Sequence, residues 1–345
     1  MTELKIRQTR GCTYMDNKVN ISQVAKDVGV SVSTVSRALS GKGRISESTR
    51  EKINSYLSEK QLIPNTREKR YTDIVTKMIS VVLPGEENFA SMPYFLNILL
   101  SVYDYFSIRG YQVNLIKVTP TDISNLTHAV EEHVMDGVIL TRMVENNDEI
   151  VYLKQAGVPF VVIGPYDDPS VLQVDTDNEA ACCDITNVLL QKGLDKMAVM
   201  CAKQEHYINR KRFQGILKAY MESYMLLDRR YVFYDTEFEN IAEMAIEKVL
   251  VSDVNCILCM DDNICLVILR ILRKKGIPVP ERIKVASLHN SNLLDEWYPP
   301  VSCVHFDVDE LGKEASRILY VYLTENKRLP KSILGYELQM KASTN

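Results

Sequence analysis

The sequence predicts a small all-α head followed by a large α/β core built on parallel sheets. In the head, residues 21–57 carry apolar side chains at helical spacing, interrupted at Gly29. From Met78 onward, short apolar runs alternate with amphipathic stretches, which is the pattern of repeated strand and helix units. The chain has 345 residues, enough for a small head and a core of more than one lobe at ~100–200 residues per domain.

The start of the head reads as a helix, a tight turn and a second helix. Apolar side chains recur at helical spacing at Ile21, Val24, Ala25 and Val28. Gly29 then ends the first helix, and the Ser31 hydroxyl is placed to cap the next one. A third helix follows, capped by Ser46 and packed through Ile53 and Leu57. This order predicts a helix-turn-helix unit.

The second helix separates a packing face from a polar face. Val35, Ala38 and Leu39 share one side and can pack on the first helix. The outward set is Val32, Ser33, Thr34, Ser36 and Arg37. Short hydroxyls and an arginine fork suit phosphate oxygens and base edges in a major groove. We therefore predict DNA contacts at Ser31, Val32, Ser33, Thr34, Arg37 and Ser46, the alternative being a three-helix unit with a solvated polar face.

The distribution of charge favours DNA binding. The net charge of −4 divides unevenly: residues 1–77 carry 15 Lys and Arg against 8 Asp and Glu, and residues 78–345 carry 26 against 37. The head is thus at +7 and the remainder at −11. Cations in the head would neutralise phosphates, whereas the acidic remainder discourages nonspecific contact with nucleic acid.

The core shows strands and helices in alternation. Strands are predicted at MISVVLP, YQVNLIKV, MDGVILTR, VPFVVIG, KMAVMCA, YVFYD, CILCM and IKVASL. Amphipathic helices are predicted at 93–110, 179–192, 209–223, 239–251 and 263–275, and the first of these is apolar enough to be a candidate dimer interface. Parallel sheets of this kind bind ligands beyond the carboxyl ends of their strands.

Several other classes of protein are disfavoured. No apolar run approaches the ~20 residues of a membrane span, and residues 1–18 lack the apolar core of a signal peptide, so we expect a cytoplasmic protein. The eight cysteines predict reduced thiols, and Cys256 and Cys259 point to opposite faces of a strand, which disfavours a metal site. Without a nucleophile elbow or a Walker or dinucleotide loop, we expect no cofactor and no catalysis.

The order of residues in the head resembles one known family. VAKDVGVS, STVSRALSG, ISESTREKI and then Ile63-Pro64-Asn65 are similar to the head of the LacI family of bacterial transcriptional regulators. The resemblance implies a two-lobed core like that of periplasmic binding proteins. Accordingly, we predict an N-terminal extension at 1–18, a helix-turn-helix domain at 19–63 and a hinge at 64–77. The expected N-lobe comprises 78–177 plus 308–335, and the C-lobe 178–307 plus 336–345.

The hinge departs from the family pattern. The resemblance implies a helix that starts near Asn65 and inserts an apolar wedge into the minor groove. Here Tyr71 occupies the wedge position, and Glu68 stands where a small residue is usual and would face anionic DNA. We predict DNA contacts at Asn65 and Tyr71, with a solvated linker as the alternative.

The resemblance also implies an effector site between the lobes. NRKRFQG is similar to a family segment whose arginine reaches the ligand, here Arg212. Asp261 stands where relatives carry Asn, and His289 stands where they carry acidic residues. Asp307 lies at the predicted passage from the C-lobe back to the N-lobe. These four residues are the predicted effector contacts. A surface role for Arg212 and a helix-capping role for Asp262 are the alternatives.

Together these features predict a homodimeric regulator, expected to act as a repressor, that binds a pseudopalindromic operator. A small polar effector, best matched by a sugar or a sugar derivative, would alter its DNA affinity. Two alternatives stay open: a core that responds to a partner protein, as in catabolite control relatives, and a carbohydrate-active enzyme with a DNA-binding appendage. No metal, no cofactor and no membrane contact is expected.

Overall fold

The computed structural model describes residues 21–40, 45–46, 48–49, 52–53, 55–56, 75–85, 93–143, 147–202 and 206–345. The chain divides into two compact units, residues 1–73 and 74–345.

The first unit contains the helix-turn-helix. Helix α1 spans Ile21–Val28 and helix α2 spans Val32–Ser40, and residues 48–49, 52–53 and 55–56 are helical as well. Gly29 has a φ of +76°, a left-handed conformation that reverses the chain between α1 and α2 and suits glycine. A small core of Val24, Ala25, Val35 and Ile53 closes the unit. These four side chains lie on the faces that the apolar spacing predicts.

The described part of the second unit contains the alternating helices and strands of two α/β lobes. Its helices are α3 Pro93–Ser107, α4 Ser124–Glu131, α5 Asp148–Ala156, α6 Asn178–Gln191, α7 Tyr207–Glu222, α8 Glu239–Leu250, α9 Asp262–Lys274, α10 Asn292–Asp295 and α11 Val308–Glu325. Its strands are β1 Met78–Pro84, β2 Gln112–Val118, β3 Gly137–Leu140, β4 Phe160–Ile163, β5 Leu172–Thr176, β6 Met197–Met200, β7 Val232–Phe233, β8 Cys256–Cys259, β9 Lys284–Ser287, β10 Ser302–His305, β11 Ser332–Leu334 and β12 Glu337–Gln339.

The strands form two six-stranded sheets, one in each lobe. The first sheet has the order β11-β5-β4-β3-β1-β2, and its strands are parallel. The second has the order β12-β10-β9-β8-β6-β7, and among its described strands only β12 and β10 pair in antiparallel fashion. The inner strands β3, β4, β6 and β8 are short, apolar and buried along their whole length, because helices cover both faces. This architecture confirms the predicted fold class.

The chain passes between the lobes three times. After β5 it enters α6, whose N-terminus is capped by Asp177 through a 3.0 Å hydrogen bond from the Ala180 N–H. After β10 it returns through α11, which packs on α3 and on the first sheet. A final passage leads from β11 in the first sheet to β12 in the second. The lobes are therefore linked by short segments that lie side by side at one end of the strands.

Helix α3 shows which part of its apolar surface belongs to the core. Phe95, Ile98, Val102 and Phe106 are buried within the first lobe, so these residues do not form the dimer interface that the apolar character of this helix suggested. The opposite side of α3 is also apolar: Leu96, Leu100 and Tyr103 are each more than half exposed. One face of α3 is buried in the core because this helix covers the first sheet.

Candidate nucleic-acid interface and effector cleft

The polar face of α2 is held in place by a serine cap. The Ser31 hydroxyl accepts a hydrogen bond from the Thr34 N–H at 3.1 Å, as the sequence predicts, and also bonds the Thr34 and Ser33 hydroxyls. Val32, Ser33 and Arg37 are exposed, and Thr34 is half-buried. The start of α2 therefore presents a small apolar group, hydroxyls and one cation on a single surface, which is the chemistry that a groove-reading helix uses.

Of the remaining predicted DNA contacts, the structure describes only Ser46. Ser46 is exposed and caps the third helical stretch, because its hydroxyl accepts a 3.3 Å hydrogen bond from the Thr49 N–H. Asn65 and Tyr71, with Glu68 and the extension at 1–14, lie outside the described residues.

A cavity of about 290 Å³ lies between the two lobes of the second unit. Residues that follow the carboxyl ends of strands in both sheets line it, as expected for parallel sheets. From the first lobe come Pro84, Tyr94, Thr141, Arg142, Met143, Ile163, Gly164, Pro165 and Thr176, among others. From the second lobe come Asn178, Ala202, His206, Asn209, Arg212, Glu237, Phe238, Asp261, Asp262, His289 and Phe306, among others. Its volume is at the lower end of the ~300–1,000 Å³ of small-molecule sites.

Arg212 is fixed at the cavity by two hydrogen bonds. Its Nε donates to Oδ1 of Asn178 at 3.0 Å, and Nη1 donates to the Met260 carbonyl at 2.9 Å. Asn178 is itself oriented by Thr176, whose hydroxyl accepts from Nδ2 at 2.6 Å. Only 6% of the Arg212 surface is exposed, which excludes the alternative of a surface arginine. Both of these partners are uncharged. The remaining N–H donors of the guanidinium can therefore bind a ligand without breaking an ion pair with a carboxylate.

A glycine makes this arrangement possible. Helices α6 and α7 approach closely at Gly215, one turn after Arg212. A Cβ atom at this position would lie 2.3 Å from the Glu179 carbonyl oxygen and 2.9 Å from the Cys183 nitrogen. Because Asn178 is on α6 and Arg212 is on α7, the close approach sets the distance between these two side chains.

The helix cap considered for Asp262 is made by Asp261 instead. Asp261, and not Asp262, caps α9: its side chain accepts a 2.8 Å hydrogen bond from the Ile264 N–H. Burial raises the pKa of Asp261 above its usual value, and the neighbouring charge of Asp262 adds to this. Both residues line the cavity. The cap falls one residue earlier than predicted because α9 begins at Asp262.

Asp262 is paired with His289. Nδ1 of His289 lies 3.2 Å from Oδ1 of Asp262. Burial alone would raise the pKa of Asp262, but the hydrogen bond and the charge of His289 outweigh burial and hold that pKa at about 2. The imidazole stacks on Phe306, with ring centroids 6.0 Å apart, and its other neighbour is the edge of Tyr94. His289 thus lines the cavity, and its ring is held by contacts with Asp262, Phe306 and Tyr94.

Asp307 is not at the cavity. Its side chain caps α11 by accepting a 2.9 Å hydrogen bond from the Glu310 N–H, and the residue is exposed. It lines a neighbouring groove of about 410 Å³ between α3 and the second lobe. The prediction placed it in the effector cleft because it follows a strand, but the helix that starts at Val308 directs its carboxylate to the backbone instead.

Sequence reasoning also missed residues of the cavity. Tyr94, Phe238 and Phe306 contribute its aromatic lining, and Asn178 orients Arg212. A signal was present for Phe306, which immediately follows β10, and for Tyr94, which opens α3. Nothing local to Asn178 indicates its contact with an arginine 34 residues later.

The part of the chain described by the structure shows no group of His, Cys, Asp or Glu that could hold a metal ion. Within the same residues, no helix is both long and apolar enough to span a membrane. The seven described cysteines are free and buried. Burial raises the pKa of Cys182 and of Cys256 to about 12, so these two thiols are protonated at neutral pH.

Family comparisons agree with the two parts of the chain. Residues 20–65 match the profile "Bacterial regulatory proteins, lacI family", and residues 186–344 match "Periplasmic binding protein-like domain". The chain is 28% identical over 339 residues to the HTH-type transcriptional regulator CelR of Thermobifida fusca, covering 94% of this chain and 97% of that protein. It is 23% identical over 330 residues to catabolite control protein A of Staphylococcus xylosus, covering 94% and 99%.

Solved structures give the same result for the fold. A structure described as a transcriptional regulator CelR-cellobiose complex superposes with a TM-score of 0.72 at 25% identity, covering 94% of this chain and 100% of the other. The probable maltose operon repressor malR of Staphylococcus superposes with a TM-score of 0.73 at 22% identity, covering 79% and 99%.

A helix-turn-helix with an exposed polar surface on α2, followed by a two-lobed core with a cavity between the lobes, defines a DNA-binding transcriptional regulator. The helix-turn-helix matches the lacI family profile, and full-length relatives are transcriptional regulators. The chain belongs to the LacI family of transcriptional regulators.

Proposed function

We propose that this regulator binds a pseudopalindromic operator as a homodimer and represses transcription, and that a sugar or sugar derivative in the interlobe cavity changes its operator affinity. The observation that carries the proposal is Arg212, a buried guanidinium oriented by Asn178 and the Met260 carbonyl beside a cavity. A cation held in this way has donors available for ligand oxygens. We place the action of the protein in the cytoplasm, where bacterial DNA is located.

The cavity suits a polyhydroxylated ligand. Its aromatic side chains, including Tyr94, Phe238 and Phe306, can pack on the apolar face of a sugar ring, while Arg212, Asp261 and His289 can bond hydroxyls. We therefore assign the effector contacts to Arg212, Asp261 and His289 and leave Asp307 out. The complex of the CelR relative with cellobiose supports this ligand class. We propose binding without turnover, because Asp261 caps α9 and Asp262 is paired with His289, so neither carboxyl group is placed as a free general acid or base.

The outer face of α3 supports a homodimer. Leu96, Leu100 and Tyr103 form an exposed apolar strip on this helix, and Leu115 on the edge strand β2 is exposed too. An apolar strip beside a sheet edge is costly in water and fits a second copy of the same surface. Two copies would present two α2 helices, which matches a two-fold DNA site.

For the DNA contacts, we propose that α2 enters the major groove with Arg37 as the main base reader. Ser31 and Thr34 bond each other and so position the start of the helix, whereas Val32 and Ser33 are exposed there. Ser46 lies at the start of the third helical stretch and is proposed to contact a phosphate. Asn65 and Tyr71 remain proposed contacts of the hinge.

Selection of binding sites from random duplexes tests the proposal. Wild type should select a two-fold symmetric sequence, and its affinity should fall steeply with salt. Arg37→Ala should bind the selected site more weakly by ~1–3 kcal/mol and lose preference at one position in each half-site. Arg270→Ala, which removes an exposed arginine of the second lobe, is the matched control and should leave the selected sequence unchanged.

An unchanged preference in Arg37→Ala would move base reading to another residue. A selected sequence without two-fold symmetry would argue against the homodimer.

A further inference from the structure

A hydrogen bond joins the two lobes at the rim of the cavity. The Tyr207 hydroxyl donates to Oδ2 of Asp167 at 2.6 Å. Tyr207 is half-buried at the start of α7 in the second lobe, whereas Asp167 is exposed in the loop that follows β4 in the first. Neighbours of both residues line the cavity: Pro165 on one side, and His206 and Ile208 on the other. The bond therefore spans the cavity at its edge.

This bond differs in kind from the three passages of the chain between the lobes. The passages are covalent, so they persist when the lobes rotate relative to each other. Rotation about such linking segments opens and closes the cleft of a two-lobed protein. The bond between Tyr207 and Asp167 lies outside the passages and exists only while the lobes are together at this rim.

The charges around the bond favour the same contact. Arg210 and Lys211 follow Tyr207 on α7, and the charge of Asp167 across the rim interacts with that of Lys211. The Arg210 guanidinium lies 5.0 Å from the centre of the Tyr207 ring and so helps to orient it. The hydrogen bond to Asp167 raises the pKa of Tyr207 above its usual value, so the hydroxyl keeps its hydrogen at neutral pH.

We propose that Tyr207 and Asp167 form a clasp that holds the lobes together at this rim, and that the clasp breaks each time a ligand enters or leaves the cavity. The inference rests on the proposed function, because it takes this cavity as the effector site. A hydrogen bond to a charged acceptor stabilises modestly where water has access to it. Loss of the clasp should therefore raise the open fraction by about threefold to tenfold.

Access of a small reagent to the cavity measures this opening without an effector. Ala202 lines the cavity, and the seven described native cysteines are buried. In full-length protein carrying Cys12→Ser and Ala202→Cys, the new thiol should react with iodoacetamide at a rate proportional to the open fraction. Adding Tyr207→Phe, which keeps the ring beside Arg210 and removes only the hydroxyl, should raise that rate by about threefold to tenfold.

The matched control removes a tyrosine hydroxyl that joins nothing across the cavity. Tyr224 is 99% exposed and lies just beyond the other end of α7. Tyr224→Phe in the same background should leave the labelling rate unchanged.

A double-substitution cycle separates the clasp from a general loosening of the rim. Asp167→Ala should raise the labelling rate at least as much as Tyr207→Phe does. The protein that carries both substitutions should react no faster than Asp167→Ala alone, because both changes remove the same bond. A Tyr207→Phe rate equal to that of its parent, or rate increases that multiply in the double variant, would overturn the inference.

These outcomes are separate from those of the proposed function, because the labelling measurement needs neither operator nor effector. A protein that selects no operator but reacts faster with Tyr207→Phe would disprove the regulatory proposal and leave the clasp intact. A protein that selects its operator but reacts at one rate in all variants would disprove the clasp alone.

Discussion

Substitution of Gly215 by alanine should perturb both the stability of the second lobe and its ligand site. The added Cβ would lie 2.3 Å from the Glu179 carbonyl oxygen and 2.9 Å from both Cys182 Cβ and the Cys183 nitrogen. Ordinary contacts of carbon are near ~3.5 Å, so α6 and α7 must separate by about 1 Å. The three opposing atoms are backbone atoms or a Cβ of α6, and no change of rotamer can move them away.

The expected loss is near the top of the range for overpacked cores. Such insertions cost ~1–3 kcal/mol, and rigid opposing atoms favour a value of about 3 kcal/mol. At ~2–4 °C per kcal/mol for a domain of this size, the melting temperature should fall by roughly 6–12 °C. The separation would also lengthen the 3.0 Å bond between Arg212 and Asn178, so ligand binding should weaken beyond the effect of stability alone.

Calorimetry on wild type and three variants measures this effect. Gly335→Ala is the neutral control, because a Cβ there meets nothing within 4 Å and the position is exposed. Gly312→Ala is the matched destabilised control: its Cβ would lie 2.7 Å from that of Ser101, between α3 and α11, and so on neither of the helices α6 and α7 that carry Asn178 and Arg212. Gly215→Ala and Gly312→Ala should both melt earlier, but only the former should weaken sugar binding. A melting temperature for Gly215→Ala within 2 °C of wild type, on the ~2–4 °C scale above, would refute the reasoning.

Two further predictions concern the ligand anchor and the thiols. Arg212→Ala should abolish the response of DNA binding to effector but retain operator affinity, as measured by fluorescence anisotropy. Arg212→Lys should not restore the response, because an ammonium cannot make both the Asn178 and Met260 bonds in the same plane. A full response in either variant would show that another residue anchors the effector. In a Cys12→Ser background, the seven buried cysteines should react with a thiol reagent at pH 8 only as fast as the core opens, and all should react at once in guanidinium. Rapid modification of any of them in native protein would contradict the burial.

Local sequence signals were sufficient for the secondary structure and for the head. Gly29 and Ser31 define the turn and the cap by their own backbone and side-chain chemistry, which depends on neighbours within four residues. The apolar runs of the core are strands because a parallel sheet covered on both faces requires several consecutive apolar side chains. The predicted helices at 179–192 and 263–275 agree with α6 and α9 to within one residue at each end for the same reason, since amphipathic periodicity is also a local property.

The site depended on contacts that no local pattern contains. Arg212 was found through a family segment, but its orientation comes from Asn178 and Met260 on two other elements. Asp261 and Asp262 are adjacent in sequence and chemically identical, and only the first residue of α9 and the position of His289, 27 residues away, assign one to the cap and the other to the imidazole. Asp307 follows a strand just as a ligand residue would, yet the helix behind it uses its carboxylate as a cap.

The sequence by itself determined the helix-turn-helix, the alternation of strands and helices, and the excess of positive charge in the head. Only the tertiary structure decided which face of α3 is core, which acid pairs with His289, and which side chains enclose the cavity. The physical reason is the separation in sequence between the residues that interact. Helix caps, turns and periodicity are set by interactions between residues a few positions apart, whereas a binding cavity is formed where strand ends from two separate sheets meet, and its hydrogen bonds join residues that are distant in the chain.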